Sequence, residues 1–270
     1  MKIESILTLC TKKDDFKALN DLSLNYIEAI AAAGDNAVQK RILKELIRRY
    51  VELEKRVDSL LKNTLPPKVA EEIKDGGTFV PRPYECTILF SDFIGFTKLA
   101  ENISGAMLID ILNNIFISFD DLIALYRGTK IKTIGDAYMA VFGAPYKLEN
   151  HAVQAVRAGL AFQKFIVDFN EHTKSNLQMR VGIHTGTVMA GVVGKERKQF
   201  DVFGDSVNIA SRFESSGEEG KINISETTYL QTASFFEFQE RGMISLKSKK
   251  NMKAYFVTRE IKQNESADKI

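Results

Sequence analysis

Tryptophan is absent from this sequence, and cysteine occurs only at Cys10 and Cys86. Two cysteines build neither a disulfide framework nor a structural zinc cluster, and such sparing use points to a reducing compartment. Proline is scarce as well, 5 residues in 270, two of them adjacent at Pro66-Pro67. No apolar run approaches the roughly 20 residues that a membrane-spanning helix requires. The first apolar stretch, Ile6 to Cys10 between Lys2 and Lys12-Lys13, is too short for the core of a signal peptide. A cytoplasmic location is the expectation. Charge bias is missing too, since 37 basic against 35 acidic residues leave +2. That balance removes any whole-protein attraction for nucleic acid or anionic lipid, and no nucleic-acid partner is expected. What is present is ordinary in amount: hydrophobic residues at 44% and charged residues at 27% exclude a disordered or collagen-like chain. The length leaves room for one or two domains of about 100–200 residues.

Residues 14–33 place Phe16, Leu19, Ile27 and Ile30 at helical spacing and stop at Gly34. Residues 1–40 are read as a helical N-terminal segment to which the sequence assigns no role. From Leu43 the apolar positions step through Leu46, Tyr50, Leu53, Val57 and Leu60 at heptad a/d spacing, with charged residues between. One reading is an amphipathic helix packed on its own domain. The other is a parallel coiled-coil stalk over 41–65, too short to hold two chains unless the following domains also dimerise. Pro66-Pro67 stops it. A short helix, Lys68 to Lys74, follows, with Pro67 in its first turn and Gly76-Gly77 at its end.

The body is placed at 66–260 and a polar tail at 261–270. Cys86 to Phe90 reads as a buried strand and residues 106–126 as an amphipathic helix. Thr129–Ile134 and Ala137–Phe142 pair as a hairpin that turns at Gly135-Asp136. A helix over 150–170, strands near 179–184, 187–193 and 199–203, and a helix over 206–214 come next. Strand, helix, two strands, helix, strand is the ferredoxin-like order, an antiparallel sheet with helices on one face. The fold class expected is therefore α+β, a ferredoxin-like sheet-and-helix domain preceded by an α-helical coiled-coil stalk.

Two aspartates sit where strands end or turn. Asp92 follows the apolar strand in Phe90-Ser91-Asp92-Phe93-Ile94-Gly95, and Asp136 occupies the hairpin turn. Adjacent central strands would bring both carboxylates to one edge of the sheet, as hard oxygen donors suited to Mg²⁺ or Mn²⁺ beside a phosphate. Taken singly, each reads as a turn former or a helix cap. A second cluster runs from Asp201 to Arg212, with Asp205 as the expected N-cap of a helix. Asn208 and Arg212 then lie four apart on one helical face, an amide and a guanidinium suited to a phosphoryl group gaining charge. Alone, they read as a surface arginine with an asparagine neighbour.

Thr87-Ile-Leu-Phe-Ser-Asp-Phe-Ile-Gly-Phe-Thr97, Lys130 to Met139, Arg180-Val-Gly-Ile-His-Thr-Gly186, Ala190-Gly-Val-Val-Gly194 and Phe200 to Arg212 together resemble the class III nucleotidyl cyclase catalytic domain. The resemblance extends from about Lys62 to Val257. It implies a ferredoxin-like fold and a head-to-tail homodimer with two composite sites. It also implies that Asp92 and Asp136, helped by the backbone carbonyl of Phe93, hold two divalent metal ions, Mg²⁺ or Mn²⁺. Asn208 would orient the ribose and Arg212 would stabilise the transition state of 3′-hydroxyl attack on the α-phosphorus. Lys247 matches the family's triphosphate-binding lysine, with Lys249 the alternative, because Lys247-Ser-Lys-Lys250 departs from the family's lysine-glycine-lysine-glycine.

The base is read from two further positions. Lys132 can donate to adenine N1 and Asp201 can accept from adenine N6. Guanine would set acceptor against acceptor and donor against donor, and guanylyl members of the family carry glutamate and cysteine there. The implied substrate is ATP and the implied product cyclic AMP. The alternatives are a guanylate cyclase, or a cyclase-fold dimerisation module that has lost catalysis. Retention of Asp92, Asp136, Asn208 and Arg212 argues against the last. His184 reads as structural, Gly191 to Lys195 lacks the spacing of a Walker phosphate loop, and both cysteines read as inert. Residues 1–40 and the stalk resemble a transducer, yet no sensor domain is recognisable upstream.

Overall fold

The computed structural model describes residues 36–96, 100–101, 103–195, 197–245 and 251–261, with side chains from residue 43 onward. The expected helix over 14–33, Lys247, Lys249 and the tail beyond Ile261 lie outside these residues. Contacts divide the chain after Thr64 into two units. The first contributes helix α1, Asn36–Thr64. Its charged face is laced at helical spacing, for Arg48 bridges Glu45 at 2.8 Å and Glu52 at 3.0 Å. Its heptad positions Tyr50, Leu53, Val57 and Leu60 are exposed on this single chain. Among the described residues no helix is long and apolar enough to cross a membrane.

The second unit opens with α2, Pro67–Gly76, which has proline at its first position and a left-handed glycine, Gly77, as its cap. Then follow β1 (Arg82–Ile94), α3 (Gly105–Leu125), β2 (Thr129–Ile134), β3 (Ala137–Phe142), α4 (His151–Thr173) and β4 (Gln178–Val193). In space these strands stand in the order β2-β3-β1-β4, and all three pairings are antiparallel. That is the ferredoxin-like arrangement. The chain continues through β5 (Gln199–Phe203), α5 (Asp205–Ser215), β6 (Ile222–Ser225), α6 (Glu226–Thr232), β7 (Phe236–Ile244) and β8 (Met252–Glu260). β6, β8 and β7 extend the sheet beyond β4, and β5 pairs with the far end of β4.

Alternation along the strands sorts the two faces. Leu89 and Phe93 of β1, with Val181 and Ile183 of β4, join Phe119 of α3 and Phe162 of α4 in the main core. There Phe119 and Phe162 stack at 3.7 Å with the Tyr138 ring set edge-on. Burying a large apolar side chain stabilises by about 1.5–3 kcal/mol, so this cluster is what holds α3 and α4 to the sheet. The intervening β4 residues Arg180, Gly182 and His184 face the other way, towards α5.

Four expectations are corrected here. The two strands expected over 179–184 and 187–193 are one continuous strand, because Gly186 is not a break. A side chain at 186 would meet Ser206 Oγ at 2.6 Å, so the glycine makes room for α5. Helices occupy both faces of the sheet, since α5 lies opposite α3 and α4. The sheet is mixed, because β4 and β6 pair in parallel. The N-cap of α5 is Gly204, and Asp205 is the first helical residue, where its charge suits the helix dipole.

A chain of buried hydroxyls starts on the α4 side of the sheet and ends at His184 on the α5 side. It runs from His151 Nδ1 through Thr87, Thr185, Thr228 and Ser225 to His184 Nδ1, in steps of 2.7, 2.8, 3.0, 3.1 and 2.8 Å. Burial lowers the pKa of His151, with only a weak opposing pull from Glu85. Burial likewise pushes the Cys86 thiol up to about 12, which leaves it protonated and unreactive.

Candidate active site

Asp92 was expected just after the first strand and instead lies within it. β1 continues to Ile94 because β4 continues beside it, and the register sets Asp92 directly opposite Arg180. Cross-strand neighbours on one face meet side chain to side chain. Arg180 Nη2 donates to Asp92 Oδ2 at 2.9 Å, and its Nε donates to Glu214 Oε1 at 2.5 Å. The side chain of Phe93 is spent on the core, which leaves its backbone carbonyl as the donor it can offer a ligand.

Asp136 reaches the same place from the hairpin. Gly135 supplies φ of +63° at the turn between β2 and β3, a conformation glycine adopts without steric cost. Ser91 and Tyr138 pair across β1 and β3, so Asp92 and Asp136 stand at one end of neighbouring strands. Burial raises the pKa of Asp136, and the Asp92 charge adds to it, against weaker pulls from a backbone hydrogen bond and Arg180. Burial also raises that of Glu214 more than Arg180 lowers it, with Asp92 and Asp136 adding to the rise. For Arg180 burial works against the charge, yet Glu214 and then Asp92 more than offset it, and the guanidinium stays ionised.

Asp92 and Glu214 flank the Arg180 guanidinium and Asp136 stands close by, so carboxyl groups outnumber cationic ones at this edge of the sheet. Among the described residues no group of three or more histidine, cysteine or acidic side chains forms a ligand cluster. The donors available to a cation are therefore the Asp92 and Asp136 carboxylates and the Phe93 carbonyl. They are all oxygens and fit a hard divalent ion better than a soft one.

The remaining residues form two other groups. Lys132 of β2 and Asp201 of β5 are joined in an ion pair. Asp201 is buried, and its other oxygen accepts from the Val202 N–H at 2.9 Å. Asn208 and Arg212 lie on the exposed side of α5. Sequence reasoning quoted Arg180 only as part of a motif and missed Glu214 altogether. The signal for the first was a lone arginine opening a buried strand. For Glu214 there was none, because its role depends on the strand register.

Residues 80–259 match the family described as "Adenylate and Guanylate cyclase catalytic domain". Among curated proteins, the chain is 34% identical over 223 residues to the receptor-type guanylate cyclase gcy-28 of Caenorhabditis elegans. That match covers 80% of this chain and 17% of the receptor's length. Among solved structures, the guanylate cyclase domain of RhGC from Catenaria anguillulae, in complex with GTP, is 34% identical. Its TM-score is 0.65, over 67% of this chain and 100% of that one. The adenylyl cyclase CyaB from P. aeruginosa is 32% identical, also with a TM-score of 0.65, over 67% of this chain and 96% of that one.

Proposed function

The chain belongs to the class III nucleotidyl cyclase family, and we propose that within it this protein is an adenylate cyclase, converting ATP to 3′,5′-cyclic AMP and pyrophosphate. Backbone similarity does not choose the base, because a guanylate and an adenylyl cyclase resemble the chain equally well. The observation that carries the choice is the Lys132–Asp201 pair. An ammonium donor beside a carboxylate acceptor complements adenine, which accepts at N1 and donates at N6. Guanine presents the reverse pattern and would leave both side chains facing like partners. Buried polar groups left unpaired are what make such readers selective.

Two copies assemble the reaction. Asp92, Asp136 and the Phe93 carbonyl of one chain would hold two divalent ions, and Lys132, Asp201, Asn208 and Arg212 of the other would read and position the nucleotide. When bound, Mg²⁺ or Mn²⁺ supplies positive charge that acidifies the ribose 3′-hydroxyl and neutralises the triphosphate. Asn208 holds the ribose so that its 3′-oxygen points at the α-phosphorus. That oxygen forms the new P–O bond as its proton leaves, and the bond from the α-phosphorus to the bridging oxygen breaks with pyrophosphate. Arg212 faces the charge that builds on the α-phosphate oxygens. Nucleophile and electrophile belong to one molecule, so the protein has mainly to orient them.

A guanylate cyclase is the second reading, favoured by the name of the curated relative. Purified protein incubated with Mn²⁺ or Mg²⁺ and either ATP or GTP, with the cyclic product identified by mass, separates the two. ATP is expected to be used at least tenfold better. A preference for GTP overturns the adenylate reading and leaves the cyclase class standing, whereas no product from either nucleotide favours a module without catalysis.

A further inference from the structure

Helix α5 carries residues that point in opposite directions. Arg212 and Glu214 are two positions apart, which turns them about 200° from one another around the helix. Arg212 is exposed, while Glu214 is buried at 8% exposure against the sheet. The last turn of α5 sits so close to β4 that a Cβ at Gly182 would lie 2.0 Å from the Glu214 backbone nitrogen. Asn223 Nδ2 of β6 holds the same turn by donating to the Phe213 carbonyl at 2.7 Å. Glu214 is thus fixed in place, and it is the nearer partner of Arg180, which in turn holds Asp92 Oδ2.

We propose that Glu214 is a positioning residue for the metal-binding half-site of its own chain, holding the Arg180 guanidinium so that it orients Asp92. This rests on the shared-site reading above. With Oδ2 held by Arg180, the Asp92 carboxylate cannot turn freely about its Cβ–Cγ bond, and its second oxygen keeps one direction. Without Glu214, Arg180 Nε loses its nearer acceptor, and the guanidinium is free to turn towards the aspartates. Sequence proximity would group Glu214 with Arg212. The geometry groups it with Asp92.

Mixed dimers test this. Glu214→Gln keeps the shape of the side chain and removes its charge, and is expected to lower turnover about tenfold to a hundredfold, as small misplacements at reacting centres do. Mixed with Arg212→Ala under conditions of demonstrated subunit exchange, it should recover about a quarter of wild-type activity. Random pairing makes half the dimers mixed, and one of the two sites in each is then intact. Mixed with Asp92→Ala it should recover nothing, because both lesions fall in metal half-sites and every site has one. Recovery with Arg212→Ala also requires α5 of the Glu214→Gln chain to be folded, which separates positioning from collapse of the helix. Recovery with Asp92→Ala, recovery with neither, or Glu214→Gln activity above half of wild type each overturns the proposal.

The control mixture of Asp92→Ala with Arg212→Ala should return the same quarter. If it does not, the shared-site reading falls, and a measurement independent of activity decides the role of Glu214. The Arg180 Nε–H resonance, identified by its loss in Arg180→Lys, should be protected in wild type and in Arg212→Ala. In Glu214→Gln it should shift or broaden away. An unchanged resonance overturns the proposal whatever the mixtures show.

Discussion

On the proposed reading, carboxylates and an ion pair do most of the chemical selection in this chain. If Asp92 and Asp136 hold the divalent ions, losing either removes both the charge that binds them and the acidification of the ribose hydroxyl that they supply. Asp92→Ala and Asp136→Asn are accordingly expected to retain less than about 1% of wild-type turnover while keeping a native circular dichroism spectrum. Half-retained turnover in a folded Asp92→Ala protein would contradict the assignment. On the adenylate cyclase reading, base choice is the task proposed for Lys132 and Asp201. Lys132→Glu with Asp201→Cys should lose ATP use and gain some GTP use, by as much as about 10⁴-fold in relative kcat/KM, because mismatched buried donors and acceptors are left unpaired. A double variant with wild-type preference would show that the base is read elsewhere. Asp92 and Asp136 stand out in the sequence by type and place, one following an apolar run and one in a hairpin turn, whereas Lys132 and Asp201 are singled out only through the family resemblance. Glu214 could not be picked out from sequence, since nothing local tells a charged helix residue which strand it will cover.

Elements with strong local signals were legible and those set by tertiary contact were not. The hairpin of β2 and β3 announces itself by alternation on either side of Gly135-Asp136, and α3 and α4 by long apolar stripes. β4 was mistaken for two strands because a glycine in its middle resembles a turn. That glycine answers to Ser206 of a helix that follows it in sequence. β1 outran its expected end for a similar reason, as pairing with β4 extended it past Asp92. Helix α1 reaches the opposite limit, legible as a helix while its proposed pairing involves a second chain. Its exposed Leu53, Val57 and Leu60 suit a parallel pairing with another copy, which would raise the effective concentration of the following domains. A chain starting at Leu61 should therefore need about tenfold or more protein to reach half of its maximal specific activity. An unchanged concentration dependence would assign α1 another task.

At the scale of the whole molecule, activity should belong to a pair of chains. Specific activity of wild type is expected to fall on dilution and to track the dimer fraction measured by sedimentation, because on the shared-site reading separated chains hold incomplete sites. Activity per protomer that stays constant while the dimer dissociates would contradict this. A quite different consequence follows from the hydroxyl chain that ties β1, β4, β6 and the ends of two helices together. It contains five contacts but only four hydroxyl groups, Thr87, Thr185, Thr228 and Ser225, with a ring nitrogen at each end. Each hydroxyl has one hydrogen to give. Four hydrogens cannot fill five contacts, so at least one of the two terminal Nδ1 atoms must carry its own. Neutral histidine in water prefers the other tautomer, and the fold has to impose this one. Nitrogen-15 spectra of the imidazoles, recorded where both rings are neutral, should show a protonated Nδ1 at His151 or His184. Two bare Nδ1 atoms would mean that one link in the chain is a contact without a hydrogen.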